Sequence, residues 1–164
     1  LISMGRPEGA GCYCYSNNLV RGCMDGLSRS YEYVVMDNEA GLEHMSRRTT
    51  RDVDVLLIVS DPSVRGIRTA ERVAALADEL GIGTKARYLV VNRASEPLDA
   101  ALTDAIDATG VELLAVIPND RGVVDADLAG VGLFELDGDS VALAKVREML
   151  RNAVPALADG ASVR

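Results

Sequence analysis

Asp54-Val55-Leu56-Leu57-Ile58-Val59, closed by Ser60-Asp61-Pro62, decides the class of fold. Its apolar residues run on without alternating, the pattern of a strand covered on both faces inside a parallel sheet. Two runs downstream read the same way: Arg87-Tyr88-Leu89-Val90-Val91, ended by Asn92-Arg93, and Glu112-Leu113-Leu114-Ala115-Val116-Ile117, stopped by Pro118-Asn119-Asp120. Between the first two, a helix from Ser63 to Leu80 is predicted, with Ile67, Ala70, Val73, Ala74, Ala77 and Leu80 on one side and Gly81 as its cap. A helix over about 97–108 fills the next gap. After Asp120 the spacing predicts a short helix to Leu128 and a long one from Ser140 to Val154, with a tail from Pro155.

Working upstream, Tyr33-Val34-Val35-Met36, closed by Asp37, predicts another buried strand. Ser16-Asn17-Asn18 offers N-cap chemistry to a helix over about 17–29, in which Leu19, Val20, Cys23, Met24 and Leu27 recur at helical spacing. Leu1 to Met4 reads as the tail of a strand, ended by the loop from Gly5 to Gly11. Because Leu1 stands inside that strand, the expectation is a fragment lacking its N-terminal part. Alternating strands and helices give right-handed crossovers and a mainly parallel sheet with helices on both faces. Ligands of such sheets bind beyond the carboxyl ends of the strands. All five predicted strands end there in polar or turn-forming residues, so that edge is the expected site.

Composition limits what the site can meet. The 164 residues, 48% apolar and 26% charged, suffice for one domain with one core. A net charge of −8, with eleven acids and one Arg between Glu96 and Asp139, opposes a nucleic-acid or anionic-membrane surface. No apolar run approaches the roughly 20 residues of a membrane span. Three early cysteines, Cys12, Cys14 and Cys23, make no secreted disulfide framework, so a reducing cytoplasm is expected.

Cys12 and Cys14, on a glycine-flanked loop, carry the sharpest chemistry. Two thiols one residue apart cannot fill four positions around an ion, but a two-fold axis brings two more, giving a four-sulfur site in a symmetric dimer. Thiolates suit zinc or nickel(II), and the spacing does not choose between them. The alternative is a pair of free or buried cysteines, and Cys23, on the helical stripe, reads as an ordinary core residue. Asp37, at the end of an apolar run, is placed to hold magnesium or else to cap a turn. Ala40-Gly41 favours the first reading, since glycine lets backbone amides approach a phosphate. Glu39 is a candidate to position an attacking water. His44, without a partner at ligand spacing, reads as a surface residue, and Arg47 and Arg48 as a solvated face. The phosphate-loop pattern G-x-x-x-x-G-K-[ST] is absent. Gly81-Ile82-Gly83-Thr84-Lys85 imitates it, but follows a helix and precedes a strand, the wrong order.

Gly5 to Cys14, then Met36-Asp37-Asn38-Glu39-Ala40-Gly41-Leu42-Glu43-His44, then Val91-Asn92-Arg93 and Ile117-Pro118-Asn119-Asp120, in that order, closely resemble the carbon monoxide dehydrogenase maturation ATPases. These are nickel-inserting members of the MinD/ParA class of P-loop nucleotide hydrolases. The resemblance spans residues 1–154, which it implies form a partial MinD/ParA-type nucleotide-binding domain, with 155–164 a C-terminal tail. The fold it implies is a three-layer α/β, P-loop NTPase-like domain with a mainly parallel sheet, truncated at its N-terminus. It further implies ATP/ADP as nucleotide, Mg2+ held through Asp37, γ-phosphate sensing at Gly41, and Ni2+ or Zn2+ at Cys12 and Cys14 of a homodimer. The adenine falls to Asn92, Arg93, Pro118, Asn119 and Asp120. The partner implied is carbon monoxide dehydrogenase or a similar nickel enzyme.

The family's phosphate loop and its two lysines have no counterpart here, so this chain alone is expected to lack ATPase activity. In that architecture the missing strand is central, so an unfilled groove beside the Tyr33 to Met36 strand is expected. A metal- or iron-sulfur-carrying scaffold of the same fold is the alternative. A division- or partition-positioning role is disfavoured by the acidic surface and by a tail that is no basic amphipathic helix.

Overall fold

A computed structural model describes residues 22, 26, 30–38, 53–132 and 139–154. Strand β1 spans Val53–Ser60, helix α1 Val64–Glu79, β2 Thr84–Ala94, α2 Ala100–Ala108, β3 Glu112–Pro118, α3 Arg121–Ala129 and α4 Val141–Ala153. The three strands form one parallel sheet in the order β1-β2-β3. Val53 pairs with Thr84 and Ser60 with Val91, so β1 and β2 run in register over their common length.

The elements form where local chemistry directs them. Ser63 caps α1 with extended backbone, its Oγ accepting from the Gly66 N–H at 2.9 Å. At the other end Gly81 takes φ 65°, its N–H reaching the Asp78 carbonyl at 3.0 Å, and Ile82 N–H reaches the Ala77 carbonyl at 3.0 Å. That paired arrangement is a Schellman ending, which needs a left-handed residue. The α2 helix starts at Ala100, later than its predicted start at 97, because Pro97 and Leu98 stay outside the helical backbone and Asp99 is its N-cap. Gly22 and Gly26 are helical, inside the helix predicted over 17–29, whose other residues lie outside those described.

Helices α1 and α2 cover one face of the sheet, where Ile58, Leu89, Val91 and Val116 meet Ile67, Ala70, Ala74, Leu102 and Ile106. Ile67, Leu89 and Val91 are fully buried, each worth about 1.5–3 kcal/mol of transfer free energy. Helix α4 covers the other face, where Met149 packs on Val90, Ala115 and Ile117. Arg87 ties α1 to β2: its guanidinium donates to both Asp78 carboxylate oxygens, at 3.0 and 2.5 Å, and to the Ala74 carbonyl at 3.2 Å. That pairing holds the Asp78 carboxyl below its ordinary pKa.

One expectation is corrected. Tyr33 to Met36 is not a strand: no residue of 33–38 enters a ladder, and Val35 is 93% exposed. A strand exists only by pairing its amides and carbonyls, and no described strand lies beside this run. On the sides away from β2, both β3 and β1 lack a partner among the described residues. Val59 is 61% exposed although the sequence pattern of β1 calls for cover on both faces.

Candidate functional site

Parallel pairing delivers three strand ends to one edge: Ser60-Asp61 from β1, Asn92-Arg93 from β2, and Pro118-Asn119-Asp120 from β3. Asn92 lies opposite Ile117, and Ala94 opposite Pro118, so the register slips by one residue at Arg93. Arg93 takes φ 57°, the left-handed region that a non-glycine residue avoids. Its N–H is held by the Asn92 side-chain oxygen at 3.0 Å. This bulge re-aims the end of β2 and stores about 1–3 kcal/mol of local strain, the kind that accumulates at ligand sites.

The Asp120 carboxylate joins two helix starts. One carboxylate oxygen accepts from the Gly122 and Val123 N–H groups at 2.8 and 3.4 Å, capping α3. The other accepts from the Ser140 hydroxyl at 2.7 Å and the Ala142 N–H at 3.1 Å, at the start of α4. Those bonds, the Ser140 hydroxyl foremost, hold its carboxyl below the ordinary pKa. Asp120 therefore staples two helix N-termini beside the β3 end, fixing the Pro118-Asn119-Asp120 turn. Asn119 beside it is exposed. Nothing in the sequence marks Ser140 as its partner, since twenty residues separate them.

At the β1 end, the Ser63 hydroxyl donates to Asp61 Oδ1 at 2.5 Å and the Ser60 hydroxyl donates to the Asp61 carbonyl at 3.0 Å. Gly66 makes room for this cluster. A Cβ there would lie 2.2 Å from Asp61 Oδ1 and 2.6 Å from Ser60 Oγ. The sequence points to Ser60-Asp61 as a strand end but gives no sign that Gly66 admits it.

Beside the β3 end a cleft of about 270 Å³ is lined by Glu96, Val116, Pro118, Val141, Ala144, Lys145 and Glu148. Lys145 and Glu148 pair across 3.1 Å at its rim. The cleft is open and shallow, and joins the apolar Val116, Pro118, Val141 and Ala144 to that ion pair.

Asp37 is described and exposed, but in a segment that joins no strand, so its carboxylate is not fixed by the sheet. Cys12, Cys14, Glu39 and Gly41 lie outside the described residues. Among the described residues no three His, Cys, Asp or Glu side chains form a metal-binding group, and no helix is long and apolar enough to cross a membrane.

No protein-family profile matches the chain. An uncharacterised ATP-binding protein of Methanocaldococcus jannaschii is 40% identical over 154 residues, spanning 94% of this chain and 61% of that protein. The carbon monoxide dehydrogenase accessory protein CooC of Rhodospirillum rubrum is 37% identical over 140 residues, 83% of this chain and 52% of that protein. Among solved structures, the septum site-determining protein MinD of Pyrococcus horikoshii, complexed with Mg-ADP, matches with a TM-score of 0.68 at 18% identity, over 90% of this chain and 60% of that one. MinD of Aquifex aeolicus matches with a TM-score of 0.66 at 21% identity, over 90% of this chain and 63% of that one. The chain spans roughly half to three-fifths of the length of these curated relatives. The fold, a parallel sheet with helices on both faces, is like that of the solved MinD structures.

Proposed function

We infer, from a chain homologous to ATP-binding proteins and to MinD, that its residues form the base-binding half of an ATPase. We further propose that this ATPase serves carbon monoxide dehydrogenase maturation, delivering nickel. The observation that carries the reading is the register of β2 and β3. It places Asn92, the Arg93 bulge and the Pro118-Asn119-Asp120 turn on adjacent strand ends, the pair of motifs to which the family resemblance gives the adenine.

In this reading Asn92 is half-buried with its oxygen already engaged by the Arg93 amide, which leaves its amide nitrogen to donate to a purine ring. The stapled turn supplies backbone groups at a fixed place, and Asn119 adds an exposed amide. Asp37 would hold magnesium, which neutralises phosphate charge when bound; Glu39 would orient water and Gly41 would sense the γ-phosphate. Nickel is cargo: Cys12 and Cys14 would bind it with their copies in a cytoplasmic homodimer formed under nucleotide control, residues 1–154 acting as the nucleotide-binding body. The likeness to the CooC protein, with the Cys-x-Cys, supports the maturation role over other uses of the fold.

The test is equilibrium binding of a fluorescent ADP to the full-length protein that contains this chain, followed by anisotropy. Asn92→Ala is expected to weaken binding about tenfold, the equivalent of about 1.4 kcal/mol, with a small fall in melting temperature from loss of the bond to the Arg93 amide. Equal affinity in the folded variant would remove the base site from this edge.

A further inference from the structure

Helix α1 carries Arg65, Arg68 and Arg72, spaced i, i+3 and i+7, all exposed on the face away from the buried Ile67, Ala70 and Ala74. Residues so spaced are neighbours on a helix, and like charges there repel. Their place along the helix is adverse as well. Arg65 stands in the first turn, where the helix dipole favours acids, and that turn has none.

No carboxylate among the described residues comes within ion-pair distance of the three. The ion pairs there are Lys85–Asp54, Arg87–Asp78, Arg121–Asp125 and Lys145–Glu148. Of the other helical cations, Arg121, although it opens its helix, pairs with Asp125 four residues on, and Arg151 lies in the last turn of α4. Among the described residues the α1 stripe is thus a set of cations without a carboxylate partner, in a protein whose net charge is −8.

We propose that the outer face of α1 is a docking surface for an acidic protein surface, with the three guanidiniums pairing to carboxylates set along about 10 Å of a partner helix or strand. Charge complementarity selects the occupant. Arginine forks match carboxylates in pairs, whereas a duplex would bring its phosphates against the acidic stretch between Glu96 and Asp139 as well. The stripe runs along the outside of α1, apart from the strand-end cleft, so the inference stands whether or not that cleft takes a nucleotide.

The experiment uses the full-length protein and three labelled probes: a helical peptide of about 15 residues with Glu at matching spacing, its scrambled counterpart, and a short DNA duplex. Arg65→Glu/Arg68→Glu/Arg72→Glu is compared with the charge-matched Arg121→Glu/Arg147→Glu/Arg151→Glu. The expected result is a loss of matched-peptide affinity of about tenfold in the first variant and a much smaller one in the second. Equal losses, or a scrambled peptide bound as well as the matched one, would overturn the docking surface. Tighter binding of the duplex through the same arginines would replace the acidic protein by nucleic acid. A separate readout is thermal: Arg65→Glu alone should raise the melting temperature, and a fall would show that the stripe serves stability instead.

Discussion

Single residues decide whether the ligand edge keeps its shape. Gly66 is the clearest case, because a methyl group there meets Asp61 Oδ1 and Ser60 Oγ well inside contact distance. Gly66→Ala gains helix propensity but must push the Asp61 cluster outward, so a net destabilisation of about 1–3 kcal/mol is expected. Chemical denaturation of the full-length protein checks the sign; a stabilised variant would mean that Asp61 is free to move. Asp120 gives a pH signature. Its folded pKa is depressed by the Ser140 hydroxyl and three backbone amides, so its contribution is present above the unfolded carboxylate pKa and disappears as pH falls through the lower folded value. Acid melts of wild type should therefore lose stability below about pH 4. In Asp120→Asn, which starts less stable because its NH2 cannot accept from Ala142, that acid limb should be shallower. Parallel curves for the two proteins would show that Asp120 does not link the helices.

Elements were readable where their own sequence set them, and unreadable where a neighbour did. The continuous apolar runs of β1, β2 and β3 announced parallel strands, and Ser63, Gly81, Pro118 and Ser140 marked helix and strand limits close to those observed. The same logic misled at Tyr33 to Met36, since a strand-like run forms no strand without a partner edge, and Val35 stands exposed. The candidate site was legible at Asn92-Arg93 and Pro118 to Asp120 as strand ends. What Asp120 bonds and what Gly66 admits depend on residues brought together only by folding. Strand β1 has no partner on its outer side among the described residues, and its Val59 stands in solvent. Residues 1–164 expressed alone should therefore associate through that edge. Light scattering should rise with concentration, and Val59→Lys should suppress it. Cooperative, reversible unfolding of a monomer of residues 1–164 would contradict this.

In the reading proposed above, the molecule as a whole divides its chemistry between a strand edge and a cysteine pair. In the proposed function the metal falls to Cys12 and Cys14, which supply two sulfurs per chain. Four-coordinate thiolate sites need twice that number, and a two-fold dimer provides it with both chains in equivalent roles. The stoichiometry follows: one zinc or nickel ion per two chains of the full-length protein, bound more tightly as pH rises because each thiol must lose its proton. Metal should also shift the protein from monomer to dimer, since the ion bridges chains. Equilibrium metal titration with sedimentation checks both, comparing wild type with Cys12→Ser/Cys14→Ser. The substituted protein should bind no metal at that level and remain monomeric under the same conditions. One ion per chain would mean a site closed within a single copy, and equal binding by both proteins would take the metal away from the cysteines altogether.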